Sequence, residues 1–233
     1  MWKQIINAWK SNSLLDQAWN ESFQMLEIDR QMFLEAVRVL RESDDAGLNE
    51  EIRKLDKKVN KYEREVRRKV MTHCTVQGAS ELPSGMVLIS VVIDIERVGD
   101  YCKNIMQLAE SHPTRLAASP FEAILADVEE EIKQRFDRTI EVLRDQDVQG
   151  ARELMGTYRA EIGRNCDLVV RNIVENKYPD LAPGEAAALA LYARYLKRIS
   201  AHLTNTVTSV VNPFDRIGFK EKKRKAEASA REA

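Results

Sequence analysis

Several kinds of residue are scarce in this chain, and each shortage excludes something. Its 233 residues include three cysteines, Cys74, Cys102 and Cys166, scattered and with no Cys-x-x-Cys pair. An odd, scattered set argues against a disulfide framework and fits a reducing cytosol, where cysteine acts as a small buried hydrophobe. The three histidines, His73, His112 and His202, form no Glu-x-x-His pattern, which counts against a ferritin-like di-iron oxidase. Nine glycines include no glycine-rich phosphate loop and no Gly-x-Ser-x-Gly. Ser90 and Ser200 have no evident base, so no nucleophile–base constellation stands out. No stretch approaches the ~20 apolar residues of a membrane span. Met1-Trp2-Lys3-Gln4 does not open like a signal peptide, so a cytoplasmic location is expected.

What is present is the composition of long amphipathic helices: Ala, Leu, Glu, Lys and Arg dominate, and charged residues make up 31%. Net charge is −1, yet Lys220-Glu221-Lys222-Lys223-Arg224-Lys225 alone carries +4, which leaves −5 on the rest. A small basic tail on an acidic body argues against general nucleic-acid binding. The six prolines, Pro83, Pro113, Pro120, Pro179, Pro183 and Pro213, fall where the periodic patterns break. Between them the pattern predicts six helices, over 12–42, 47–77, 84–111, 120–146, 148–178 and 184–211. An amphipathic start (Trp2, Ile5, Ile6, Trp9) precedes them. Leu48, Ile52, Leu55, Val59, Tyr62, Val66, Val70 and Cys74 alternate three and four apart, and so do Val91, Ile95, Val98, Cys102, Ile105 and Ala109. These are bundle seams, so the expected fold is all-α. The helices also read as two copies of three. Arg97-Val98 and Asn104 match Arg198-Ile199 and Asn205 at an offset of 101, each on the third helix of its half. The expected organisation is a three-helix repeat over 12–112, a second over 119–212, and a basic flexible tail over 213–233.

One helix carries an unusual polar face. In Asp94-Ile95-Glu96-Arg97-Val98-Gly99-Asp100-Tyr101-Cys102-Lys103-Asn104-Ile105, Glu96, Asp100 and Asn104 stand four apart, on one side of the helix. Gly99 inside that helix costs about 1 kcal/mol against alanine. On the preceding helix Asp56 and Asn60 follow the seam residues Leu55 and Val59. If the two helices lie side by side, Asp56, Asn60, Glu96 and Asp100 face one groove. Four oxygen donors suit Mg, Ca, Mn or oxidised iron, and suit zinc poorly. On spacing alone the ordinary reading is a solvated flank with Arg97 and Lys103 as its ion partners.

Asp94-Ile95-Glu96-Arg97-Val98-Gly99-Asp100 followed by Asn104-Ile105 resembles the signature of the PhoU family, the regulators of phosphate uptake. Leu55-Asp56-Lys57-Lys58-Val59-Asn60 resembles the family's upstream Asp-x-x-Val/Ile-Asn element. The resemblance extends over 12–212. It implies a cytoplasmic six-helix protein without catalytic activity. Such proteins act as adaptors between a phosphate transporter, which brings them to the membrane surface, and a sensor histidine kinase. Some members bind iron or other metals through paired acidic motifs, and the ligands carried over are Asp56, Asn60, Glu96 and Asp100. A second copy of the chain is a further candidate partner. The second repeat departs from the family pattern. Lys197-Arg198-Ile199-Ser200-Ala201 puts lysine for the first carboxylate, alanine for the last and serine for the glycine. The partner helix there offers Arg159, Glu161, Gly163 and Asp167 in place of the family's Asp-x-x-x-Asp. A bound cation would meet Lys197, so no second metal site is expected. Glu81-Leu82-Pro83-Ser84-Gly85 lacks an arginine that many members carry after the loop proline. This departure points to a divergent member, paired with a sodium-coupled rather than an ATP-driven phosphate transporter.

Overall fold

The structure, a computed structural model, describes residues 13–44 and 50–222. The amphipathic start (Trp2, Ile5, Ile6, Trp9), the first residues of the second expected helix and the basic run Lys223–Lys225 lie outside the described residues. Within them the chain is all helix and turn, with no strand. The long helices are α1 (Leu14–Glu42), α2 (Glu50–Gln77), α3 (Leu82–Ser111), α4 (Glu122–Asp145), α5 (Val148–Thr157), α6 (Gly163–Val174) and α7 (Pro183–Val211). A π-helical turn, Tyr158–Ile162, joins α5 to α6, so the two run on as one rod, the fifth of the six expected helices.

Local chemistry sets several of the ends. Ser13 caps α1: its hydroxyl accepts from the Asp16 amide at 3.2 Å, and the Asp16 carboxylate accepts from the Ser13 amide at 3.1 Å. Asp147 caps α5 by accepting from the Gly150 amide at 3.0 Å. Pro83 and Pro183 sit in first turns, where the missing N–H has no helical partner to lose. That is why α3 starts at Leu82, two residues before the position expected from treating Pro83 as a stop. The fifth rod ends at Val174, short of the expected 178, and Asn176 in the left-handed region (φ 51°) turns the chain out.

α1 packs on α2 and α3, and α7 gathers α4, α5 and α6 around it. The two sets meet where α3 lies against α7 and α1 against α4. The helices therefore differ in how much they bury. α3 and α7 carry long apolar stripes, Val87 to Ala109 and Ala188 to Val210, whereas α2 hides mainly Ile52, Val59, Val66 and Val70. The core is one cluster running from Leu15 to Val210. Phe33 and Phe136 meet across it with ring centroids 5.6 Å apart. Polar contacts reinforce the α1–α4 side. Arg30 pairs with Asp137 at 2.8 Å, and Arg41 holds Glu122, Glu129 and the Leu116 carbonyl.

The expected tail is not free throughout. The Asn212 amide donates to the carbonyls of Arg216 (3.0 Å) and Phe219 (2.7 Å). The Gly218 amide donates to Thr208 Oγ1 at 2.7 Å, and Glu221 receives both arms of Arg152 at 2.8 Å. Residues 213–222 thus fold back over α5 and α7.

Candidate metal centre

α2 and α3 do lie side by side, and the residues expected to face one groove can be placed one by one. Glu96 and Asp100 stand on consecutive turns of α3, half-buried. Asp56 reaches them from α2 through an intermediary. Lys103 Nζ donates to Asp56 Oδ1 at 2.8 Å and to Asp100 Oδ1 at 3.0 Å, stapling the two helices. Arg97 lies 3.8 Å from Glu96 and 3.7 Å from Asp100 on the exposed rim. Asn60 makes no bond to these carboxylates: its Nδ2 donates to the Asp56 carbonyl, one turn back on its own helix, at 3.0 Å, which engages the donor end of its amide and not its oxygen. Asp56, Glu96 and Asp100 are thus brought together, with Lys103 among them.

A residue that the helix spacing did not single out lies beneath this group. Asp29, on α1, is 0% exposed, and neither of its carboxylate oxygens has a hydrogen-bond partner. Burial raises its pKa well above the usual carboxylate range, and the neighbouring charges of Glu96, Asp56 and Asp100 push it further. Its contact with Gly99, the residue before Asp100 on α3, places it beneath the cluster. Its position also explains Gly99. A Cβ on Gly99 would stand 2.6 Å from Asp29 Oδ1, so the missing side chain makes the space the carboxylate occupies. One signal in the sequence could have found Asp29. It falls three residues after Leu26 and four before Phe33, on a stripe that is otherwise apolar except for Ser22.

The other carboxylates share this crowding. The Glu96 pKa is raised by burial and by Asp100 and Glu63, against the opposing pull of Arg97 and Lys103. Glu63, on α2 and paired with Arg67 at 2.8 Å, therefore belongs to the same acidic face. Burial works against the charge of Lys103, but its hydrogen bonds to Asp56 and Asp100 outweigh it and raise its pKa. As the side chains stand, the cluster is no finished coordination sphere: among the described residues no three His, Cys, Asp or Glu groups are set to hold an ion.

The donor set nevertheless fits an oxygen-preferring cation. It consists of carboxylates without histidine or thiolate, one of them buried with both oxygens unsatisfied. An ion would draw on Asp56, Glu96 and Asp100, the chain's own negative charge supplying the attraction.

The corresponding place in the second half is built differently. Lys197, at the position matching Glu96, donates to both oxygens of Asp167 at 2.6 Å. Thr204, matching Lys103, is bonded by the buried guanidinium of Arg135 at 3.3 Å. Arg135 also donates to the Leu154 carbonyl, Thr157 and Glu131. Two fixed cations therefore lie where the first half gathers carboxylates.

His202 and Asn205 join a further set the helix spacing did not reveal. His202 Nδ1 lies 2.6 Å from Asp94 Oδ1 across the α3–α7 contact, and Asn205 donates to the same oxygen at 3.1 Å. Arg198 Nη2 lies 2.8 Å from His202 Nε2. Arginine has no acceptor, so Nε2 must accept and the ring proton sits on Nδ1, toward Asp94. Tyr101 stacks on His202, ring centroids 5.7 Å apart.

No helix among the described residues is long and apolar enough to cross a membrane. Compared with known proteins, residues 23–109 match the model of the PhoU domain. The match covers α2 and most of α1 and α3, the part of the chain that holds Asp29, Asp56, Glu96 and Asp100. A comparison with curated proteins finds no match. Among solved structures, the fold is similar to that of PhoU from Pseudomonas aeruginosa, with a TM-score of 0.74 and 19% identity. The likeness covers 85% of this chain and 95% of that one. At that identity it carries the fold alone, but it extends the likeness over both sets of helices. The first half of the chain, over residues 23–109, is thus similar to the PhoU domain, and the fold as a whole is PhoU-like.

Proposed function

We propose that the protein is a non-enzymatic regulator of phosphate uptake and phosphate signalling, working in the cytoplasm as an adaptor. In this reading residues 12–112 and 119–212 are tandem repeats. The first carries a cation site of Asp56, Asn60, Glu96 and Asp100, taking iron, Mg or Mn, and the second carries none. Partners are a phosphate transporter, sodium-coupled or ATP-driven, and a sensor histidine kinase. The observation that carries the reading is the coincidence of the PhoU-domain match with the half that gathers the carboxylates. The absence of any nucleophile–base pair in the sequence supports an adaptor over an enzyme.

Two experiments test it. Deleting the gene should change phosphate uptake or phosphate-responsive expression, and affinity capture from solubilised membranes should recover a phosphate transporter. An unchanged uptake rate and an unchanged phosphate response together would sink the regulatory reading. Elemental analysis of protein purified without chelator should find metal, lost in the Glu96→Ala/Asp100→Ala double variant. Because the second half holds its own cations, no metal should remain in that variant.

A second reading has its own observation. Lys103 and Arg97 already neutralise part of the acidic face, so the face could serve a partner's arginines directly, without metal. In that case Asp100→Lys breaks the complex with the transporter or kinase while metal content stays at zero in both proteins.

A further inference from the structure

Asp29 is the least compensated carboxylate among the described residues, fully buried with both oxygens unbonded. Such a group is costly to bury, whether it is charged or holds its proton. A core aspartate kept for packing alone would be expected to find a donor. Here no donor among the described residues reaches the carboxylate: Cys102 Sγ turns to the Asp29 backbone carbonyl instead, at 3.6 Å, and the charges that bear on Asp29 are those of Glu96, Asp56 and Asp100. α3 gives up a side chain at Gly99 to leave the Asp29 carboxylate its place. A carboxylate so placed, under three others and without a donor, is poised for a positive charge the protein does not itself deliver to it.

Lys103 is the complementary piece. Its ammonium already sits where a cation would, within 3.0 Å of an oxygen from each helix, and it does not reach Asp29. It is a flexible point charge, able to swing out to solvent without moving the helices. The second half lacks all of these features together. There Ser200 replaces Gly99 and Thr204 replaces Lys103, while Arg135 is locked by four hydrogen bonds in place of a removable charge.

We infer that Asp29 is a further ligand of the first-half cation site and that Lys103 is the chain's own removable occupant, expelled when the cation binds. The inference rests on the cation reading above, and it adds that binding is an exchange. A divalent or trivalent oxygen-preferring ion gains Asp29, Glu96, Asp56 and Asp100, and the Lys103 ammonium is released to the surface beside Arg97. Loading the site thus adds one free cation to the α2–α3 face.

The test is a titration of full-length, chelator-stripped protein with Mn2+, followed by the electron paramagnetic resonance signal of free Mn2+, and with ferric citrate, followed by bound iron. Wild type should take up the ion. Asp29→Asn should weaken binding at least tenfold, and Lys103→Met, which keeps the length and removes the charge, should tighten it at least tenfold. Gly99→Ala keeps every ligand but pushes the Asp29 carboxylate aside, so it should weaken binding as Asp29→Asn does. Circular dichroism before each titration certifies the fold. Asp29→Asn should melt no lower than wild type without metal, and added ion should raise the melting temperature of wild type more than that of Asp29→Asn. Wild-type affinity in both Asp29→Asn and Gly99→Ala would overturn the ligand role while leaving the cation site intact. Unchanged or weaker binding by Lys103→Met would overturn the exchange. If neither wild type nor Lys103→Met takes up either ion, the cation site itself falls.

Discussion

Gly99 should lower the stability of α3 by about 1 kcal/mol relative to alanine, on helix propensity alone. Its surroundings reverse that expectation. The alanine methyl would meet Asp29 Oδ1 at 2.6 Å, so a carboxylate that is 0% exposed must shift within the core. Overpacking of this kind costs about 1–3 kcal/mol. Gly99→Ala is therefore expected to lower the urea midpoint of the metal-free protein rather than raise it. In an Asp29→Ala background, where the obstructing carboxylate is gone, the same change should recover the helix-propensity gain. Equal effects in the two backgrounds would show that the two residues do not touch. At this scale the sequence spoke unevenly. Glu96, Asp100 and Asp56 were legible because four-residue steps and flanking seams are local properties. Lys103 was legible only as an ordinary ion partner. Asp29 belongs to another helix, and its importance arises from the meeting of α1 with Gly99, a contact that no spacing within one helix encodes. Asn60 was legible by the same spacing, and its Nδ2 donates to the Asp56 carbonyl on its own helix, which engages the donor end of its amide and not the oxygen that would meet an ion.

Among the helices, legibility follows the strength of the apolar repeat. α1, α3 and α7 were readable because each presents a long stripe to two or three neighbours, and a stripe of that length is stable in water only when a core covers it. α2 is more polar, yet its sparse Ile52, Val59, Val66 and Val70 keep the three-four step that docks it. The π-turn at Tyr158–Ile162 was not legible. One extra residue in a helix leaves composition and periodicity almost unchanged on either side. Helix ends were missed by a few residues where proline was read as a stop although it sits in a first turn. Caps are more specific, and that of α1 can be measured. Ser13→Ala removes the hydroxyl that accepts from the Asp16 amide and leaves that N–H without its cap, while the backbone amide of residue 13 still donates to the Asp16 carboxylate. Loss of such a cap costs about 0.5–2 kcal/mol. Because α1 packs on α2, α3 and α4, this loss should appear in global unfolding by urea, not as local fraying. A Ser13→Ala protein with an unchanged midpoint but faster amide exchange confined to the first turn of α1 would show the opposite.

At the scale of the whole molecule, the question is whether the two sets of helices unfold together. Tandem three-helix repeats could behave as independent units, and a chain of this length is large for a single cooperative transition. The contacts argue for one transition. α3 lies along α7, α1 lies along α4, and the buried cluster does not break between the halves. A polar clasp closes the α3–α7 seam, with Asp94 accepting from His202 and Asn205. Trp19 is buried on α1, so its fluorescence reports the first half while far-ultraviolet circular dichroism reports the helices of both. The two urea curves are expected to coincide. Asp94→Ala leaves His202 Nδ1 and the Asn205 amide without their acceptor in a part-buried seam, which should cost about 1–3 kcal/mol. If the seam couples the halves, both curves shift together by that amount. If fluorescence and dichroism separate in the wild type, the halves are independent domains. If they separate only in Asp94→Ala, the clasp, more than the apolar stripes of α3 and α7, holds the two halves in one cooperative unit.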